Sequence, residues 1–395
     1  MKLPFARLAA VLLLSSAGHR LAAAFNESAP LFTRLTDTVV VPAEFTNRSL
    51  FVSVKINGRG PFRMLVDTGS SVTVVTPSVA TAVNASEISE DDDPEESINA
   101  FGGTVDVRRV LLRTIELGPV QFEGVVAGVV ESLDDLNQVS GKPVDGLLGF
   151  SVFSDLILAL DFPGRRVLMS PNWPAGIPPI RAELAMREPA EVPLVSARLQ
   201  GRDFEVMIDS GSNHGLGISR DLAQLTQWKA EPRPGPLVQA LGATGREYMG
   251  RLAGELHLGR VTQDNPITAV GDGPPSLGVE FLKNFCVVFD QSHDKVWFCA
   301  DSDRAVPAPT ARSFGLSLRA DDGGWRVAGT IPGSPAEGAG IAKGDLVTEI
   351  ENEPARNWTK DRIDGWTDTH EKVVLRVGRS DQFRELALPV WQLVP

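Results

Sequence analysis

Two short stretches of this chain present an aspartate in the same setting. Leu65-Val66-Asp67-Thr68-Gly69-Ser70 and Met207-Ile208-Asp209-Ser210-Gly211-Ser212 each run apolar residues into an aspartate, a hydroxyl, a glycine and a serine. The apolar residues predict a buried, rigid strand. A glycine two positions beyond the aspartate permits a sharp turn and close backbone approach. An aspartate so placed is offered from a fixed strand end into a cleft, where a carboxylate can work as a general acid or base. One such motif is weak evidence, because Asp-Thr-Gly and Asp-Ser-Gly occur in many turns.

Two copies matter only if the elements that position them are repeated as well. The aspartate motifs lie at an offset of 142. Ala100-Phe101-Gly102-Gly103-Thr104 matches Ala240-Leu241-Gly242-Ala243-Thr244 at 140, and Leu147-Leu148-Gly149 matches Ser276-Leu277-Gly278 at 129. The last offset also carries Asp155 onto Asn284, Asp161 onto Asp290 and Val167 onto Val296. The same order at four stations indicates an internal duplication, 36–171 and 190–301. The proline-bearing stretch 172–189 reads as the linker between the halves. Short runs rich in β-branched residues, such as Thr38–Val41, Leu50–Ile56, Phe62–Val66, Val72–Thr76, Val107–Leu112 and Val120–Val130, predict a mainly β fold.

With both motifs and both apolar-apolar-Gly strands in view, the region 36–301 resembles the pepsin-like and retropepsin-like aspartic proteases. The resemblance implies a bilobal double β-barrel, one retropepsin-like lobe per half, with Asp67 and Asp209 as a catalytic pair. Such a pair shares one proton, because two close carboxylates cannot both ionise cheaply. The ionised member activates a water, which attacks the scissile carbonyl of a protein or peptide substrate, without cofactor or metal. Thr68 and Ser210 would brace the two loops, Gly69 and Gly211 would form their turns, and Ser70 and Ser212 would donate to the carboxylates. That donation would favour the ionised form and an acidic optimum. Gly102, Gly103 and Thr104 are the expected flap. The flap tyrosine of pepsins has no counterpart, since the single tyrosine, Tyr248, lies in the second half, and Ser276 replaces one apolar residue of the second strand signature.

Residues 302–311 read as a second linker, and 312–392 resemble a PDZ domain of the bacterial protease-associated kind. The carrying residues are Val327, Ile331, Gly333-Ser334-Pro335-Ala336, Ala339-Gly340-Ile341, Gly344-Asp345-Leu346-Val347 and Ile350. The resemblance implies a β-rich domain that adds an extended peptide as a strand, with Phe314, Gly315 and Leu316 as the loop that grips a carboxylate.

Composition bounds the rest. A net charge of −12 over 395 residues argues against nucleic acid as a partner. Lys2 and Arg7, the apolar run Leu8–Gly18 and Ala22-Ala23-Ala24 read as a signal peptide over 1–24, predicting export, to a periplasm or otherwise by secretion, with no integral membrane segment after its removal. Register arithmetic across the hairpin Val287–Phe298 sets Cys286 opposite Cys299, either as a disulfide or as two buried free thiols. The acidic run 87–97 reads as a solvated loop. No His-Glu-x-x-His helix and no glycine-rich phosphate loop appears. Because both aspartates lie on one chain, a monomer suffices to build the pair. The competing expectation is a non-catalytic peptide-binding protein on a degenerate protease fold.

Overall fold

The computed structural model describes residues 31–32, 35–46, 48–88, 96–100, 103–131, 133, 142–187, 191–240, 243–380 and 382–395. The expected signal peptide and most of the acidic run lie outside them. Strands dominate, and their sequences show why. Along Ser49–Ile56, Val52, Val54 and Ile56 are buried while Ser53 and Lys55 are exposed, the alternation of a strand with one face on a core.

The first half forms a ten-stranded sheet and the second a nine-stranded one. A six-stranded sheet joins them, in the order Ile180–Ala185, Lys295–Cys299, Cys286–Asp290, Ile157–Asp161, Arg166–Ser170, Val39–Pro42. At its centre, Ile157–Asp161 pairs antiparallel with Cys286–Asp290, and Ala159 faces Val288. These two are counterparts at the offset of 129, so the sheet has a local two-fold form centred on that pair. The stretch expected as a mere linker contributes Ile180–Ala185 to this sheet. Its prolines flank the strand, and an edge position asks for no ladder on the outer side.

The register arithmetic at the cysteines matches the structure, which pairs Asp290 with Lys295 and Cys286 with Cys299. The disulfide is not formed; both sulfurs are free, buried thiols. Burial pushes Cys299 up to about 11. It pushes Cys286 higher still, with Asp161 and Cys299 adding to the effect. The thiolate that starts disulfide chemistry is therefore strongly disfavoured in the folded state.

The C-terminal region forms its own sheet, in which Leu316–Asp321 stands at one edge beside Gly324–Thr330. Its core gathers Phe314, Trp325, Val327, Val347, Leu375 and Val377, among others. The region is seated on the long hairpin of the second half, Trp228–Ala240 and Ala243–Leu252. The Leu237 N–H donates to Ser317 Oγ at 2.9 Å, and Arg246 donates to the Thr330 carbonyl at 3.0 Å. Ile267 packs with Ile331, Leu393 and Val394. On the other side, Thr46 of the first half donates to Asp361 of the helix Lys360–Thr369.

Arg251 ties these pieces together. It is 7% exposed and donates to the carbonyls of Asn265, Pro309 and Pro395 at 3.0, 3.3 and 2.8 Å. Arg251→Ala should therefore loosen the segment 302–311 and the strand Trp391–Val394, at a cost of about 2–4 kcal/mol. Hydrogen exchange should show faster opening there than in the six-stranded sheet. Unchanged exchange in both would contradict this role.

Candidate active site

The two aspartate loops are built alike. Strand Arg59–Asp67 lies parallel to Gly146–Gly149, with Leu148 beside Val66 and Gly149 beside Asp67. Strand Arg202–Ile208 lies parallel to Ser276–Leu277, with Leu277 beside Ile208. Each aspartate thus ends a strand whose neighbour supports it from below. The glycines explain the strand signature. A Cβ on Gly149 would lie 2.5 Å from the Val72 carbonyl carbon, and one on Gly278 would lie 2.5 Å from the His214 oxygen. The aspartate loops pass directly over these strands, so only glycine fits.

Across the interface the loops grip each other. The Thr68 N–H donates to Ser210 Oγ at 2.9 Å, and the Ser210 N–H donates to Thr68 Oγ1 at 3.0 Å. Each hydroxyl in turn donates a hydrogen bond to the opposite strand: Thr68 Oγ1 to the Ile208 carbonyl at 2.6 Å, Ser210 Oγ to the Val66 carbonyl at 2.8 Å. Both side chains are buried, and all four bonds cross between the halves.

This grip brings the carboxylates together. A Cβ on Gly69 would fall 2.5 Å from Asp209 Oδ1, and one on Gly211 would fall 2.4 Å from Asp67 Oδ1. Each carboxylate lies against the glycine of the opposite loop. The Gly69 N–H donates to Asp67 Oδ1 at 2.9 Å, and the Gly211 and Ser212 N–H groups donate to Asp209 Oδ1 at 2.9 and 3.1 Å. Crowding still wins over these donors. Burial, then the charge of Asp209, raises Asp67 well above the ordinary Asp value; burial raises Asp209 as well, though less. A proton shared by the pair is the physical consequence.

Other expected residues fall elsewhere. Ser70 Oγ donates to the Val72 carbonyl at 2.8 Å, and Ser212 Oγ lies 2.8 Å from His214 Nδ1. Neither hydroxyl serves a carboxylate, because each is taken up by its own turn. The expectation of an acidic optimum loses its basis with them. Gly103 and Thr104 lie on the strand Gly103–Leu117, which pairs with Glu96–Ala100 as a hairpin; Gly102 lies outside the described residues. In the C-terminal region, Phe314 is a core residue. Gly315 has φ +96°, where a Cβ would strike Ser334, and its N–H is held by Ser313 Oγ at 2.9 Å. Leu316 begins the edge strand.

His214 was not singled out in the sequence, although Ser276 was noted as a departure. The structure joins them: His214 Nε2 lies 2.8 Å from Ser276 Oγ. Among the described residues no cluster of histidine, cysteine and carboxylate side chains could hold a metal, and no helix is long and apolar enough to cross a membrane.

Thr68→Ala removes a hydroxyl that both donates and accepts, leaving the Ser210 N–H and the Ile208 carbonyl unpaired in a buried interface. The expected loss is about 3 kcal/mol in a urea titration; a loss below about 1 kcal/mol would show that the grip contributes little.

Comparison with protein families finds two matches along the chain. Residues 52–152 match the aspartyl protease family model. That span contains Asp67 and Leu147-Leu148-Gly149 but ends before Asp209. Residues 305–377 match the PDZ domain. No curated protein matches the chain. The chain therefore carries an aspartyl protease domain in its first half and a PDZ domain near its C-terminus.

Proposed function

We propose that the chain is an exported aspartic endopeptidase whose catalytic groups are Asp67 and Asp209. The observation that carries this reading is the reciprocal packing of each carboxylate on the opposite loop's glycine, fixed by the four-bond grip of Thr68 and Ser210. A pair built only for stability would not crowd two carboxylates together, since that arrangement costs free energy unless a proton is retained.

The chemistry follows from the shared proton. With one proton on the pair, the ionised carboxylate takes a proton from a bound water as the water oxygen attacks the scissile carbonyl. The protonated partner donates its proton to the developing oxyanion; as the C–N bond then breaks, the proton taken from the water passes to the leaving amine and a hydroxyl proton of the diol returns to the pair. The hairpin Glu96–Ala100 with Gly103–Leu117 is the flap that would close over substrate. The PDZ domain would bind an extended peptide along the edge strand Leu316–Asp321 and raise the local concentration of a protein substrate near the cleft. Export rests on the composition of 1–24, and a periplasmic location fits the pairing of protease and PDZ domain.

Digestion of a complex peptide mixture by the mature chain, read by mass spectrometry, tests the reading. Asp67→Asn and Asp209→Asn should each lower cleavage by about 10³-fold or more. Cleavage that survives either substitution would overturn the assignment of the pair, and no cleavage by the parent at any pH would favour a non-catalytic binding protein instead. The pH profile adds a second test. Both carboxylates are raised in the folded pair, so the singly protonated form persists to higher pH than two free aspartates allow. The bell-shaped profile should have both limbs above about pH 4, the ordinary range of Asp. An optimum near pH 3 would contradict the environment described for the pair.

A further inference from the structure

A cavity of about 260 Å³ opens where the edge of the six-stranded sheet meets the segment 302–311. Arg181, Arg260 and Arg304 line it, and each comes from a different element. Arg181 is on the edge strand Ile180–Ala185. Arg260 follows Gly259 in the tight turn between Glu255–Leu258 and Val261–Asp264. Arg304 is on the segment that leads to the PDZ domain. Val261 and Phe285, both buried, give the cavity an apolar floor.

Among the described residues, none of these three arginines forms an ion pair. The chain has a net charge of −12, so carboxylates to pair with are not scarce. A single acidic residue, Asp303, lines the cavity, and it pairs with none of the three. Three cations against one anion leave a local positive excess in an otherwise acidic chain. Like charges gathered round one space repel, and an anion placed between them removes the repulsion. The walls are held in place. Arg181 Nε donates to the Ala300 carbonyl and Nη2 to the Asp301 carbonyl, at 3.0 Å each, which fixes its guanidinium and leaves donors to spare. The Arg304 N–H donates to Ser302 Oγ at 3.2 Å, and just beyond it the Val306 N–H donates to the Thr262 carbonyl at 2.8 Å. Phe285 packs edge-on against Phe298, with ring centroids 5.3 Å apart.

We propose that this cavity binds a ligand with one carboxylate on an apolar body, the chemistry of a peptide's C-terminal residue. A guanidinium offers a carboxylate two parallel bonds from its planar fork, and Arg181, Arg260 and Arg304 provide three such forks. The floor of Val261 and Phe285 takes the apolar body. A phosphate-type dianion fits less well, because it would lie against that apolar floor and face the charge of Asp303. The site stands apart from the reading of Asp67 and Asp209 and does not rest on it. A ligand seated there would touch both the sheet edge at Arg181 and the interdomain segment at Arg304.

Calorimetric titration of the full-length chain tests this, with N-acetyl-leucine, hexanoate, N-acetyl-leucinamide and inorganic phosphate as probes. N-acetyl-leucine should saturate a single site, and its amide should bind about tenfold more weakly or not at all. The double variant Arg260→Gln with Arg304→Gln should weaken N-acetyl-leucine by about tenfold or more. Both arginines are exposed, so the fold should survive the change, and Arg181 is left intact because it holds two backbone carbonyls. Hexanoate binding as well as N-acetyl-leucine would support the site and assign it to free apolar acids. Weaker hexanoate would support it and assign it to peptide ends. No saturable binding by the parent, equal binding of the amide, or unchanged binding by the folded double variant overturns the inference. Phosphate binding more tightly than either carboxylate overturns it as well, since the ligand class would then be wrong.

Discussion

The site depends on one reciprocal set of hydrogen bonds. Thr68 and Ser210 each accept the other's backbone N–H and each donate to a carbonyl of the opposite strand. Buried bonds of this kind are worth more for what their loss would leave unpaired than for their net gain. Their geometric effect is larger. By fixing two strand ends against each other they also fix two carboxylates, which left to electrostatics would move apart. The repulsion is accommodated as a retained proton rather than as a distance.

The same arrangement explains why so few residues are free to vary near it. The loops lie on Gly149 and Gly278 with no room for a Cβ, and the carboxylates lie on Gly69 and Gly211 with no room either. The Phe150 N–H donates to the Ser70 carbonyl at 2.7 Å, and the Val279 N–H donates to the Ser212 carbonyl at 2.7 Å. Each loop is therefore pinned from below by its own half and from the side by the other. Where the halves differ is one layer further out, at Val72 and Leu147 against His214 and Ser276, where packing in one is hydrogen bonding in the other.

Much of this could be read from residues alone, because matching motifs in the two halves can be set against each other. The aspartates, the bracing hydroxyls and the supporting glycines all stand at repeated positions, and backbone sterics make glycine diagnostic. The serine hydroxyls were misassigned for a different reason. Ser70 and Ser212 share a position, but a hydroxyl chooses among nearby acceptors by fractions of an ångström, and the turn carbonyl of Val72 and the ring of His214 lie nearer to hand. Ser276 looked like a loss of apolar character because its partner is 62 residues away in sequence. The strand Ile180–Ala185 was hidden by the prolines around it, and the thiols of Cys286 and Cys299 were set opposite by register that says nothing of their oxidation. Matching to the aspartyl protease family ends at residue 152, so the second aspartate is carried by the geometry rather than by that likeness.

The seating of the PDZ domain constrains the cleft in a way that sequence order conceals. The hairpins Glu96–Ala100 with Gly103–Leu117 and Trp228–Ala240 with Ala243–Leu252 turn at matching positions, Ala100 with Gly103 and Ala240 with Ala243. The second hairpin is held by Ser317 through the Leu237 N–H, by the Thr330 carbonyl through Arg246, and by the apolar contact at Ile331, Leu393 and Val394. For that hairpin to move, it must carry the PDZ domain with it or break these bonds. Ser317 lies on Leu316–Asp321, the edge strand of the C-terminal sheet, so the hairpin is anchored at that sheet's edge.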